Sequence, residues 1–98
     1  MTTLSTHVLD SAGGKPASGI AVKLLRGDEV VAVDVTDADG RIGRLADVEH
    51  GLYQLAFDTS AYSTFFPEVT ITFVVADDRH HHVPLLLSPF SYSTYRGS

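Results

Sequence analysis

Val69-Thr70-Ile71-Thr72-Phe73 places an apolar residue at every second position, and this stretch decides the class of fold. Side chains alternate across a strand, so Val69, Ile71 and Phe73 share one face and the two threonines the other. Downstream, Val83-Pro84-Leu85-Leu86-Leu87 is apolar on both faces, as expected of a strand covered on both sides. Pro84 cannot donate to a ladder, which predicts an edge position or a bulge and a surface open to intersubunit packing. Upstream, Ile20–Leu25 and Glu29–Val35 flank Arg26-Gly27-Asp28 and read as a hairpin. Further strands are expected at Leu4–Asp10, Ile42–Leu45, Leu52–Phe57 and His80–Leu87, with turns at residues 11–16 and Asp37-Ala38-Asp39-Gly40. No long window repeats at 3.6 residues. One helical turn or two around Asp58–Ser63, with Asp58 as N-cap, is the sole helical candidate. Short strands at this spacing predict an all-β sandwich of seven or eight strands with at most one short helix.

Ninety-eight residues form one domain, residues 1–98, since so short a chain has room for a single core. A domain of this size buries only about 60–65% of its unfolded surface, so association with further copies is one route to stability. The absence of cysteine removes disulfides and thiolate chemistry. With a net charge of −5 and only two lysines, Lys15 and Lys23, no basic stripe exists for nucleic acid. Met1-Thr2-Thr3-Leu4 lacks a secretory signal, and no apolar stretch has the length of a membrane helix. A cytoplasmic protein with neither a nucleic-acid nor a membrane partner is expected.

Histidine titrates near neutrality, so each one is weighed. Alternation puts His7 on one face with Ser5 and Leu9. In His80-His81-His82 the outer two share a face and His81 points the other way. Two imidazoles on one face could ligate a metal with a third ligand from elsewhere, or one could act as a base. The plainer reading leaves His80 and His81 solvated near Asp77 and Asp78, and His50 at the surface. Arg41, at the mouth of the Asp-rich turn, either pairs with Asp37 or Asp39 or grips an oxygen-rich planar anion. Arg44, within a short strand, reads as structural. The ending Tyr95-Arg96-Gly97-Ser98 follows the last apolar run closely, so its hydroxyls and guanidinium are expected to be held rather than frayed.

Leu4-Ser5-Thr6-His7-Val8-Leu9-Asp10, Thr36–Arg41 and the run from His80 to Ser98 resemble the transthyretin-like 5-hydroxyisourate hydrolases. The likeness runs from Leu4 to the end. It implies a transthyretin-like β-sandwich and a homotetramer, a dimer of dimers with sites at the dimer–dimer interface. The implied reaction opens 5-hydroxyisourate to 2-oxo-4-hydroxy-4-carboxy-5-ureidoimidazoline in urate degradation, with no cofactor and no metal. Carried over by position, the catalytic set is His7, Arg41, His82 and Ser98, with Tyr95 and Arg96 lining or bracing the pocket. His81 stands where a tyrosine is common in that family, and the Asp58–Pro67 segment is shorter than in many members. A non-catalytic small-molecule carrier of the same fold, a metal protein built on the triple histidine and a structural module are the competing readings.

Overall fold

The structure is a computed structural model that describes residues 1–97; Ser98 lies outside the described residues. Its strands are β1 (Thr2–Asp10), β2 (Lys15–Pro16), β3 (Ala21–Arg26), β4 (Glu29–Val35), β5 (Arg41–Val48), β6 (Gly51–Asp58), β7 (Glu68–Val75), β8 (His81–Ser88) and β9 (Ser91–Thr94). The first sheet runs β2-β1-β8-β9, with β5 also paired to β1; the second runs β4-β3-β6-β7. The two together form the expected all-β sandwich. Two strands beyond the long ones read from the sequence are the two-residue β2 and the C-terminal β9. Neither carries an apolar alternation, because β9 is exposed along its length and β2 pairs only through Leu9↔Pro16 and Asp10↔Lys15.

Between the sheets lie Leu4, Val8, Val22, Leu24, Leu55, Phe57, Val69, Val75, Leu85 and Leu87, all fully or almost fully buried. Each such apolar side chain contributes about 1.5–3 kcal/mol on leaving water. Gly27, at φ 60°, closes the β3–β4 hairpin in the left-handed region that glycine adopts freely.

Two expectations are corrected. The helical candidate is a turn: the Thr59 carbonyl accepts from Tyr62 N and Ser63 N, and the chain then leaves. Asp58 does cap this turn, accepting from Ser60 N at 3.1 Å and Ser60 Oγ at 2.7 Å. Ser63 ends it by donating to the Pro89 carbonyl at 2.7 Å, and its Oγ accepts Phe66 N at 2.9 Å, so the backbone bonds that would extend a helix are replaced.

Second, Pro84 is not on an edge strand. β8 lies between β1, with which it runs parallel from Leu4↔His81 to Asp10↔Leu87, and β9. The missing N–H is accommodated because pairing with the C-terminal stretch lapses there, between Leu85↔Thr94 and the isolated bridge His82↔Gly97.

Candidate active site

Residues on neighbouring strands that stand opposite one another share a face. The register therefore assembles a polar surface on the outer side of the first sheet. His7 on β1 stands opposite Arg41 on β5 and Pro84 on β8, while Ser5 stands opposite His82. Arg41, His80, His82, Ser5 and Gly43 line a concavity of about 280 Å³, at the small end of the range for ligand sites. His7 borders the same face without lining that hollow. Between Leu4 and Thr6 the β1–β5 register shifts, and Gly43, within the bulged stretch opposite Ser5, lines the hollow without a side chain.

Each group is fixed by local chemistry. Asp37 Oδ1 accepts the backbone N–H of Asp39 at 2.9 Å and of Arg41 at 3.0 Å, so this carboxylate builds the turn. The carbonyl of Gly40, at φ 75°, accepts from Val8 N at 2.7 Å; a Cβ there would strike the Val8 carbonyl oxygen. That contact presses the turn against β1 beside His7. The Asp39 carbonyl then accepts from His7 Nε2 at 2.9 Å, which puts the His7 proton on Nε2 and its lone pair on Nδ1. Arg44 makes a two-pronged pair with Asp47, at 2.6 and 3.1 Å, and takes the structural role expected of it.

His82 is half-buried, and its Nδ1 lies 2.7 Å from Ser5 Oγ. Its pKa is held below the ordinary imidazole value of 6.5, first by burial and then by the positive charge available on His7, Arg41 and His80. The group that faces the hollow is thus a neutral imidazole at neutral pH.

The triple histidine divides as alternation requires, but its plain reading needs correction. His80 is exposed yet engaged: its Nε2 lies 2.7 Å from Ser5 Oγ and its Nδ1 2.5 Å from Thr3 Oγ1. His81 is not solvated at all. It is 3% exposed, faces the sandwich interior, donates from Nδ1 to the Arg79 carbonyl at 2.7 Å and leaves Nε2 without a partner. Only two of the three imidazoles therefore reach the hollow, and among the described residues no cluster of three metal-binding groups forms. His50 is a surface residue, 2.8 Å from Asp78 Oδ1.

The C-terminal stretch is held as far as it is described. Gly97 N donates to the His82 carbonyl at 2.8 Å, and a Cβ on Gly97 would come within 2.6 Å of His82 Cδ2. Glycine is what lets the tail lie on the imidazole. Arg96 reaches Asp77 with two contacts of 3.4 Å, and this guanidinium, together with the backbone N–H and side chain of Arg79, lowers the Asp77 carboxyl to about 2. Arg96 and Tyr95 line a separate apolar groove with Ile71, Phe73 and His81 rather than the hollow at His82. Ser98 lies outside the described residues, so its position relative to His82 is not part of this geometry.

Sequence reasoning passed over Ser5, Thr3, Asp77 and Gly97. Alternation had a signal for the first two, because Thr3, Ser5 and His7 share one face. Asp77 and Gly97 act through contacts 19 and 15 residues away along the chain, which local pattern does not encode.

The matched family model, "HIUase/Transthyretin family", covers residues 4–97. A 5-hydroxyisourate hydrolase of Pseudomonas aeruginosa is 42% identical over all of this chain and 93% of its own length. The uric acid degradation bifunctional protein TTL of Arabidopsis thaliana is 43% identical over 97% of this chain, which spans 37% of that longer protein. The solved Klebsiella pneumoniae 5-hydroxyisourate hydrolase superposes with a TM-score of 0.90 at 42% identity, covering 99% of this chain and 100% of that one. Sea bream transthyretin in complex with thyroxine superposes with a TM-score of 0.86 at 34% identity, over 96% and 93% of the two chains. With the family model matched over residues 4–97 and solved structures superposing along nearly the whole length, this chain belongs to the HIUase/Transthyretin family.

Proposed function

We propose that the protein hydrolyses 5-hydroxyisourate, opening its six-membered ring at an amide bond during urate breakdown. The observation that carries this reading is the convergence of Arg41 and a neutral His82 on one small hollow, with His7 alongside. The hydrolases of Pseudomonas aeruginosa and Klebsiella pneumoniae support it by identity along their whole length.

The chemistry follows from those groups. His82, uncharged, accepts a proton from water as the oxygen attacks the ring carbonyl; a positioned base of this kind is worth about 10²–10⁴-fold. Arg41 sits opposite His7 and supplies a planar donor fork for the ligand's oxygens and for the negative charge of the tetrahedral intermediate, a contribution of a few kcal/mol. His7, with its proton on Nε2 tied to Asp39, presents Nδ1 as an acceptor that orients water or substrate. Ser98, at the chain end, completes the proposed set by hydrogen bonding, and Tyr95 and Arg96 brace the tail. The reaction needs no metal and no organic cofactor.

We also propose a homotetramer, a dimer of dimers, in which the outer face of the first sheet meets its symmetry mate and covers the hollow. The polar face of β1, β5 and β8 stands open in a single chain, and covering it would exclude water from the reacting centre.

The test is the ultraviolet decay of freshly made 5-hydroxyisourate with and without protein. Acceleration far above the spontaneous rate, with large losses in His7→Ala, Arg41→Ala, His82→Ala and a deletion of Ser98, is expected. A rate equal to the spontaneous one in the wild type, with tight binding of the ring, would instead favour a carrier.

A further inference from the structure

Four side chains form an unbroken polar chain from His82 through Ser5 and His80, which also lines the hollow, to Thr3 near the start of β1, and the reaction as written uses only His82. His82 Nδ1 lies 2.7 Å from Ser5 Oγ, Ser5 Oγ 2.7 Å from His80 Nε2, and His80 Nδ1 2.5 Å from Thr3 Oγ1. Ser5 is 6% exposed and His80 is exposed, so the chain runs from the half-buried His82 through an enclosed hydroxyl to a solvated imidazole.

We infer that Ser5 and His80 form a proton relay that connects His82 to solvent at Thr3 and keeps His82 neutral through both halves of the hydrolysis. This rests on the reading of His82 as the base.

A hydroxyl has one proton, so Ser5 donates to one imidazole and accepts from the other. Two arrangements are therefore available. In the first, Ser5 donates to His80 Nε2 and accepts from His82 Nδ1–H, His80 Nδ1–H donates to Thr3, and the lone pair of His82 is on Nε2. In the second every donor and acceptor is reversed, and His82 carries its proton on Nε2. The two differ by the passage of one proton along the chain.

The balance of the reaction uses both. As the water oxygen forms its bond to the carbonyl carbon, His82 Nε2 takes one of its protons. The Nδ1 proton moves to Ser5, the Ser5 proton moves to His80 Nε2, and His80 gives its Nδ1 proton to solvent beside Thr3. When the carbon–nitrogen bond breaks, His82 gives its Nε2 proton to the leaving nitrogen, and a proton returns inward along the same path to Nδ1. The second hydrogen of the water remains on the new carboxylic acid and is lost to solvent on ionisation. His82 carries no net charge at the end of either step. The charged or titratable groups facing it, His7, Arg41 and His80, are all of the kind that penalise an imidazolium, so a route that avoids one is favoured.

Ser5→Ala, Ser5→Thr, His80→Ala and the double variant Ser5→Ala with His80→Ala test the relay. Ser5→Ala and His80→Ala should each lower kcat by about tenfold or more with KM within about twofold, because the step lost is proton transfer rather than binding. Links in series are not additive, so the double variant should be no slower than the worse single one. Ser5→Thr, which keeps the hydroxyl, should recover most of the rate. Free imidazole in the buffer should accelerate the single variants and not the wild type. Values of kcat within about twofold of wild type in Ser5→Ala would overturn the relay, as would multiplying losses without buffer rescue. Nitrogen NMR of the resting protein separates this from the assignment of the reaction. Ser5→Ala should change the tautomer balance of His80 and His82 together, and no change at His80 would overturn the relay even in an active enzyme. A wild type no faster than the spontaneous reaction would overturn the hydrolase reading while leaving that NMR result to decide the hydrogen-bonded chain.

Discussion

At the scale of single residues, His82 sets the pH behaviour. Burial acts first and the positive neighbours His7, Arg41 and His80 add to it, so the folded protein releases the His82 proton more readily than an unfolded chain does. The sign follows. Above the ordinary value of 6.5 both states are neutral at this site and it contributes nothing to the pH dependence. As pH falls below 6.5 the unfolded chain takes up a proton first and the native state loses stability relative to it. For activity, the acid limb of kcat/KM should lie below 6.5, and Arg41→Ala should move it upward because one positive neighbour is gone. A limb at or above 6.5 in the wild type would remove His82 as the base. His81 next door shows how completely one residue of register changes an imidazole's environment. It is buried with Nε2 unpartnered, on the opposite face from the chemistry.

At the scale of elements, the site is a product of pairing. β1 is flanked by β5 and β8, and the register His7↔Arg41 and Ser5↔His82 brings together residues separated by 34 and 77 positions. The C-terminal stretch adds a third constraint, because Gly97 rests on the His82 ring. Gly97→Ala should force the imidazole to turn, with a Cβ only 2.6 Å from Cδ2 and 3.3 Å from the His82 Cβ. We expect kcat to fall by about tenfold or more, with an unfolding midpoint close to wild type, since a 1 Å misplacement of a catalytic group is already costly. Full activity in Gly97→Ala would show that the tail does not position His82. This contact also marks the limit of what the sequence discloses. Alternation was enough to pair His80 with His82, to turn His81 away and to put His7 beside Ser5, because it is a local property of a strand. The central place of β8 was hidden, because Pro84 reads as an edge residue until the lapse in pairing between Thr94 and Gly97 is seen. The turn at residues 58–63 reads as a helical candidate for a similar reason: the Ser63–Pro89 hydrogen bond that ends it spans 26 residues.

At the scale of the whole molecule, the question is what covers the outer face of the first sheet. In one chain the hollow is open, and the half-buried Leu9 and Leu86 stand side by side on the same face as His7 and His82. That combination, polar groups at one end and aliphatic ones at the other, fits a surface that meets its own copy by rotation about a two-fold axis. A chain of 98 residues also has a small core and gains from burying more surface. Activity should therefore depend on association. Leu86→Arg introduces a charge on that face while leaving the side chain a path to solvent, so the subunit should keep its fold. Sedimentation is expected to show Leu86→Arg shifted from tetramers towards dimers, and its specific activity should fall on dilution in step with that shift. Wild type should retain its activity over the same range of concentration. Dimers with undiminished turnover per subunit would place the complete site within one chain or one dimer, and the proposed covering of the hollow would then be wrong.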